Sequence, residues 1–327
     1  MTTRLRARLA LLVGVLGAVI VGGAAASPGL TFRVFVRPHL NTASIVWTGK
    51  RFLYVVNTAN AIWSAPAAGL PIRLFARMPR LVEETRCILS PGTHGFTPGV
   101  IFCHSPDNKI YEISADGSTM SVLAKLPAPY PPSADGALAF DSSGRFGYRL
   151  LAATGRSGAA TPSGGSVYAV DASGHVQQIG SYSGPGGADE LAIAPAGFGS
   201  VAGDALLTVD AGPKGGKLVA MGPGGKTQSI MAFAHAGPNP VVAIPARFTT
   251  SATTPAAGLY VTDDETNTIT FAPAVELAPF AGDVIVGTEA TAQFWVIEPH
   301  GTGLRVVPLH DNEHSRVYSL EGAIFVG

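Results

Sequence analysis

Six times along the chain a run of apolar residues ends in a polar turn and a second apolar run follows. The pairs are Leu53–Asn57 with Ala61–Trp63, Val100–His104 with Lys109–Tyr111, and Leu150–Thr154 with Ser166–Tyr168. Then come Ala205–Asp210 with Lys217–Val219, Gly258–Asp263 with Asn267–Ile269, and Asp283–Gly287 with Gln293–Trp295. Runs this short, bounded by Gly, Asn and Asp, predict strands, and each pair predicts a hairpin. A hairpin repeated at a near-constant interval predicts radial repetition.

Each hairpin has an apolar run on either side. In the third unit these are Gly136–Phe140 and Val176–Ile179; in the fourth, Leu191–Ala194 and Gln228–Phe233. Four antiparallel strands make one propeller blade. Asp116-Gly117, Ser173-Gly174 and Gly224-Gly225 supply turn residues between third and fourth strands. The pattern predicts an all-β chain, a six-bladed β-propeller of four-stranded antiparallel blades, with seven blades as the alternative.

Equivalent positions in the second strands are Tyr54, Ile101, Leu151, Leu207, Tyr260 and Ile285, spaced by 47, 50, 56, 53 and then 25. The last unit therefore lacks a first strand. Ser319–Val326 reads like the inner-strand segments Ala134–Phe140 and Ala188–Ile193. The terminal strand is expected to close the ring as the inner strand of that incomplete last blade. The pairing of Leu30–Arg37 stays open; an outer strand near the closure is one place for it. No helix-period segment of useful length follows the N-terminus.

The N-terminus itself reads as a secretory signal. Arg4, Arg6 and Arg8 precede an apolar stretch from Leu9 to Val21 and the small residues Ala24-Ala25-Ala26. The expected organisation is a signal peptide over 1–26, an N-terminal segment over 27–40 and the propeller over 41–327. The expected location is outside the cytoplasm: secreted, extracellular or in the periplasm or cell envelope. No other stretch approaches the length of a membrane span, and an uncleaved anchor helix is the alternative for residues 1–26.

Composition adds 46% hydrophobic residues and only 13% charged ones, with Lys+Arg and Asp+Glu both 22. Cleavage after residue 26 removes three Arg and leaves 19 basic against 22 acidic residues, a net charge of about −3. No basic run suggests nucleic acid. Cys87 and Cys103 are the two cysteines. They fall on neighbouring antiparallel strands of one blade, and in an exported protein a disulfide is expected, with two buried thiols as the alternative.

In a blade, the start of the inner strand and the end of the second strand share a face. The first ring of positions is Asn41, Glu84, Asp135, Glu190, Asn239 and Glu321; the second is Asn57, His104, Thr154, Asp210, Asp264 and Glu289. Eleven of the twelve are acids, amides or histidine, a concentration in a chain so poor in charge. Oxygen ligands converging on an axis suit a hard divalent cation such as Ca²⁺. Carboxylates there could also hold a water for general-base work. The bland reading is that Asp, Asn and Glu serve their own turns.

Tyr260–Ile269 is similar to the strand–Asp–turn–Asn–strand unit of the NHL-repeat and gluconolactonase-like (senescence-marker-protein type) propellers, a group that includes strictosidine-synthase-like proteins. Ser105–Tyr111 is a second copy of its turn. Glu321-Gly322 resembles the group's metal-ligating Glu-Gly, Gly237-Pro238-Asn239 its Pro-Asn ligand loop, and Asp263 or Asp264, and separately Asp210, its Asp at a second-strand end. The resemblance implies Glu321, Asn239 and Asp264 as metal ligands, with Asp210 in reserve.

Two function classes follow. One is metal-assisted hydrolysis of a lactone or ester, with Glu190 or Asp135 as base. The other is a non-catalytic propeller that binds a sugar, peptide or envelope partner through the same face. Either way the expected partner is a small molecule or carbohydrate at the axial pocket of a monomer. A quinone-dependent sugar dehydrogenase lacks a set of cofactor-binding Arg and Lys. His310–His314 matches H-x-x-E-H, but that motif needs a helix and this stretch reads as a loop.

Overall fold

The structure, a computed structural model, describes residues 29–57, 59–79, 85–127, 136–155, 163–184, 186–211, 214–251, 255–289, 291–311 and 319–327. They form six antiparallel blades in a ring. Seven blades is thereby excluded.

From the inside outwards, the first blade is Thr42–Trp47, Phe52–Val56, Ala61–Ala65 and Arg73–Arg77, and the second Arg86–Leu89, Ile101–Ser105, Lys109–Ile113 and Met120–Lys125. The third is Gly136–Phe140, Leu150–Thr154, Ser163–Val170 and Val176–Gly184. The fourth is Gly187–Ile193, Ala205–Asp210, Gly216–Met221 and Thr227–Phe233.

The last two blades exchange strands. The fifth is Pro238–Ala243, Val284–Thr288, Phe294–His300 and Gly303–Asp311. The sixth is Leu320–Val326, Gly258–Asp263, Thr268–Pro273 and Arg33–Val36. The C-terminal strand does close the ring, but its expected partner is corrected. It pairs with the fifth hairpin, Val261 opposite Ala323, while Val284–Thr288 takes Pro238–Ala243 as its inner strand. Ile244 N–H donates to the Asp283 carbonyl at 2.9 Å and locks that pairing at its turn. The two second strands are buried along their whole length, so either inner strand satisfies the apolar pattern of either hairpin. The N-terminal residues seal the exchange from outside. Gly29–Leu30 adds in parallel to the rim of the fifth blade, and Arg33–Val36 is the outer strand of the sixth.

The buried core falls into six clusters, one per seam between adjacent blades. Leu151 and Ala153 pack towards the fourth blade, while Leu150 and Ala152 pack towards the second. This is the period of two of a strand, with both faces covered by neighbouring blades. Double burial explains why second strands read as unbroken apolar runs. Each buried aliphatic side chain contributes roughly 1.5–3 kcal/mol. The seam between first and sixth blades is aromatic, with Phe52 and Tyr260 rings 5.0 Å apart.

The outer turns also fit blade to blade. A Cβ at Gly117 would stand 2.3 Å from the Phe75 carbonyl oxygen, and one at Gly174 2.1 Å from that of Leu123. Both glycines have positive φ, so the turn and the close approach each require Gly there. Apart from a short helical turn at Ala274–Leu277 and single 3₁₀ turns, the described chain is strand and loop. No helix among the described residues is long and apolar enough to cross a membrane. The expected signal peptide lies outside the described residues.

Candidate functional site

The inner strands of four blades carry a β-bulge near their start. The register slips at Ala43 in the first blade, Asp189 in the fourth, Asn239-Pro240 in the fifth and Glu321-Gly322 in the sixth. A bulge leaves a residue unpaired and re-aims it. Here the bulges present side chains and carbonyl groups to the axis, at the face where the inner strands begin.

Arg86 receives them. Its side chain is fully buried at the start of the second blade's inner strand. Nε donates to the Asp189 carbonyl at 3.1 Å, and Nη1 donates to the Ala43 carbonyl. Nη2 lies 3.3 Å from Glu321 Oε2 and 4.0 Å from Asp189 Oδ1, and Nε lies 3.4 Å from Glu190 Oε1. One guanidinium thus ties three other blades, the first, fourth and sixth, to its own. A buried charge of this kind is tolerated only when paired and hydrogen-bonded.

Beside it stands an acidic cluster. Asp189, Asp210 and Glu289 place carboxylate oxygens within 4.8 Å of one another. Asn239 joins them to Glu321, its Nδ2 donating to Glu289 Oε1 at 3.3 Å and to Glu321 Oε2 at 3.4 Å. Asn239 is fully buried, and its Oδ1 has no hydrogen-bond partner among the described residues. Ser319 Oγ donates to Glu321 Oε1 at 3.3 Å. Gly237 leaves room for Asp210: a Cβ there would stand 1.9 Å from Asp210 Oδ1.

Two oxygens on one Ca²⁺ stand up to roughly 5 Å apart, so the carboxylates of Asp189, Asp210 and Glu289 fit a single hard cation. The donors are all carboxylate oxygens, and beside them Asn239 carries a buried Oδ1 without a hydrogen-bond donor among the described residues. Arg86 offsets one of the five carboxylates Asp189, Glu190, Asp210, Glu289 and Glu321.

Of the residues expected from the sequence, the structure brings together Glu321, Asn239 and Asp210. Asp264 is not one of the three clustered carboxylates; its Oδ2 accepts from Asn41 Nδ2 at 3.3 Å and its N–H donates to the Ser319 carbonyl at 3.1 Å. Glu190 is held by Arg86 and lies at the inner end of the axial tunnel, next to the cluster and not within it. Asp135 and Glu84 fall outside the described residues, as does His314. Thr154 donates to the Ser166 carbonyl at 3.4 Å within its own blade.

Asp189, Glu289 and Arg86 were not singled out by the resemblance. Glu289 belongs to the polar ring, whereas the bulge that turns the buried Asp189 to the axis leaves no mark on the apolar pattern. An Arg inside an inner strand was the available sign of Arg86.

His104 pairs directly across from Arg86 and is buried against the start of the third blade. A Cβ on Gly136 would stand 2.2 Å from its Nδ1. Neither ring nitrogen has a hydrogen-bond partner among the described residues. Burial lowers its pKa to about 4, against a smaller opposing pull from Asp107. The next pair along the same ladder is Cys87 with Cys103, and they form the expected disulfide.

Below Arg86 the inner strands of all six blades enclose an axial tunnel of about 430 Å³. Arg86 and Glu190 lie at its inner end, and the exposed Pro91 and Ser142 at the other.

No family model and no curated protein matches the sequence. Among solved structures the chain is similar to that of a nidogen/laminin complex, with 9% identity over 86% of this chain and 83% of that one, at TM-score 0.52. It is also similar to the PQQ-bound aldose sugar dehydrogenase of Streptomyces coelicolor, with 13% identity over 86% of each chain, at TM-score 0.55. At such identities the likeness shows the fold alone: this chain is a six-bladed β-propeller.

Proposed function

We propose that this is an exported propeller that binds one divalent cation, Ca²⁺ foremost, at the axial mouth and hydrolyses a lactone or ester there. The observation that carries the reading is the convergence of Asp189, Asp210 and Glu289 to within 4.8 Å beside the unpartnered Oδ1 of Asn239. When bound, the ion supplies Lewis-acid polarisation of a carbonyl and a more acidic water. Asp189, Asp210, Glu289 and Asn239 hold it. Glu321, fixed by Arg86, Asn239 and Ser319, orients the amide of Asn239.

The proton acceptor is Glu190 or Asp135. Of the three carboxylates paired with Arg86, Glu190 is the most exposed, at 15% against 4% for Asp189 and Glu321. The resemblance of Glu321-Gly322 and Pro238-Asn239 to the gluconolactonase-like propellers supports the same chemistry.

A second reading is favoured by one feature. Glu190 is tied to Arg86 and lies at the end of the tunnel, which suits a structural cation at a binding face without turnover. Calorimetry with Ca²⁺, then assays with δ-gluconolactone and p-nitrophenyl acetate before and after chelation, separate the two. Binding with chelator-sensitive turnover supports hydrolysis. Binding without turnover supports the second reading, and no binding overturns both.

A further inference from the structure

The tunnel beneath Arg86 meets the cation site only at Arg86 and Glu190, and its chemistry differs. Its wall takes an apolar residue from every blade: Ile45, Leu89, Phe140, Leu191, Val242 and Ile324. Leu89, Phe140 and Ile324 are only partly buried, so apolar surface from three blades remains open to the lumen. Its volume of about 430 Å³ lies in the range of small-molecule sites. An apolar wall of this kind offers contact to an apolar guest.

The inner end defines the head group. The donors of Arg86 are directed at the carbonyls of Ala43 and Asp189 and at the carboxylates of Glu190 and Glu321. What the tunnel meets is therefore an acceptor, the Glu190 carboxylate, within a net of acids that exceeds its one guanidinium. An anionic head is repelled there. A hydroxyl can donate to Glu190, and an ammonium donates with charge assistance.

We propose that the tunnel is a binding site for an amphiphilic amine, its alkyl or aryl body lying along the six inner strands and its ammonium at Glu190. The guest enters at the face marked by Pro91 and Ser142, opposite the acidic mouth. The proposal shares Glu190 with the hydrolytic reading but requires no bound cation.

The test is calorimetry of the purified protein with n-octylamine, n-octanol and octanoate, each run with and without EDTA. The expected result is saturable 1:1 binding of octylamine in both conditions, with octanol about 10-fold weaker and octanoate weaker still. Glu190→Gln should bring amine and alcohol to equal affinity. Ala323→Phe, which narrows the tunnel, should abolish binding of both. Should Ala323→Phe fail to fold, Ser142→Trp at the exposed rim obstructs the same path. Absence of saturable octylamine binding, octanoate binding as tight as octylamine, or wild-type affinity in a folded tunnel-blocking variant would overturn the proposal.

Discussion

Arg86 Nη2 lies 3.3 Å from Glu321 Oε2, although 235 positions separate the two residues. Arg86 belongs to the second blade and Glu321 to the strand that closes the ring. The contact joins ring closure to the axial site, so both depend on one guanidinium.

Removing that guanidinium should cost more than any surface charge. Arg86→Ala leaves Glu321, Asp189 and Glu190 crowded with no counter-charge between them. Breaking a buried pair from one side costs about 3–5 kcal/mol. Urea unfolding of the variant should show a loss of this size, whereas Arg305→Ala, whose partner Glu298 is on the surface, should lose less than about 1 kcal/mol.

Gly237→Ala tests the geometry of the acidic cluster without altering its charge. The added Cβ would stand 1.9 Å from Asp210 Oδ1, so the carboxylate must swing away. Ca²⁺ affinity measured by calorimetry should fall at least about 10-fold, the scale of one lost charged ligand contact.

The disulfide holds the ladder that carries Arg86 and His104. Its 16-residue separation corresponds to about 3 kcal/mol in the loop-entropy account. Reduction, or paired Cys87→Ala and Cys103→Ala substitution, should lower the melting temperature accordingly, with the folded circular-dichroism spectrum retained.

Two buried groups give opposing pH dependences. His104 takes up its proton near 6.5 when unfolded but only at about 4 when folded. The unfolded chain then binds more protons, so stability is intact above pH 6.5 and falls by about 3 kcal/mol as pH drops towards 4. Asp283 has the reverse sign. Burial, aided by Glu298, pushes its pKa up to about 6, so its contribution is present below its unfolded value of 3.8 and is lost as pH rises through 6. His104→Phe should flatten the acid limb of a stability–pH profile. Asp283→Asn should raise stability at pH 7 more than at pH 4.

The blades were legible because each second strand is covered on both faces and so reads as an unbroken apolar run. The same double burial hid the strand exchange. Gly258–Asp263 and Val284–Thr288 are equally apolar, and nothing in their pattern prefers one inner strand over the other. The polar ring placed Asn239, Glu321, Asp210 and Glu289 at the mouth because strand ends set their position. Asp189 was not legible because the bulge that turns it to the axis is set by backbone register and leaves the apolar pattern unchanged.

The central claim is that Asp189, Asp210, Glu289 and Asn239 hold one divalent cation. Metal analysis and Ca²⁺ calorimetry of the wild type against Asp210→Asn and Glu289→Gln test it most directly. One equivalent of Ca²⁺ per wild-type chain, with affinity lost in both variants and a chelator-induced drop in melting temperature, is the predicted result. No bound metal, and a melt unchanged by chelator, would contradict it.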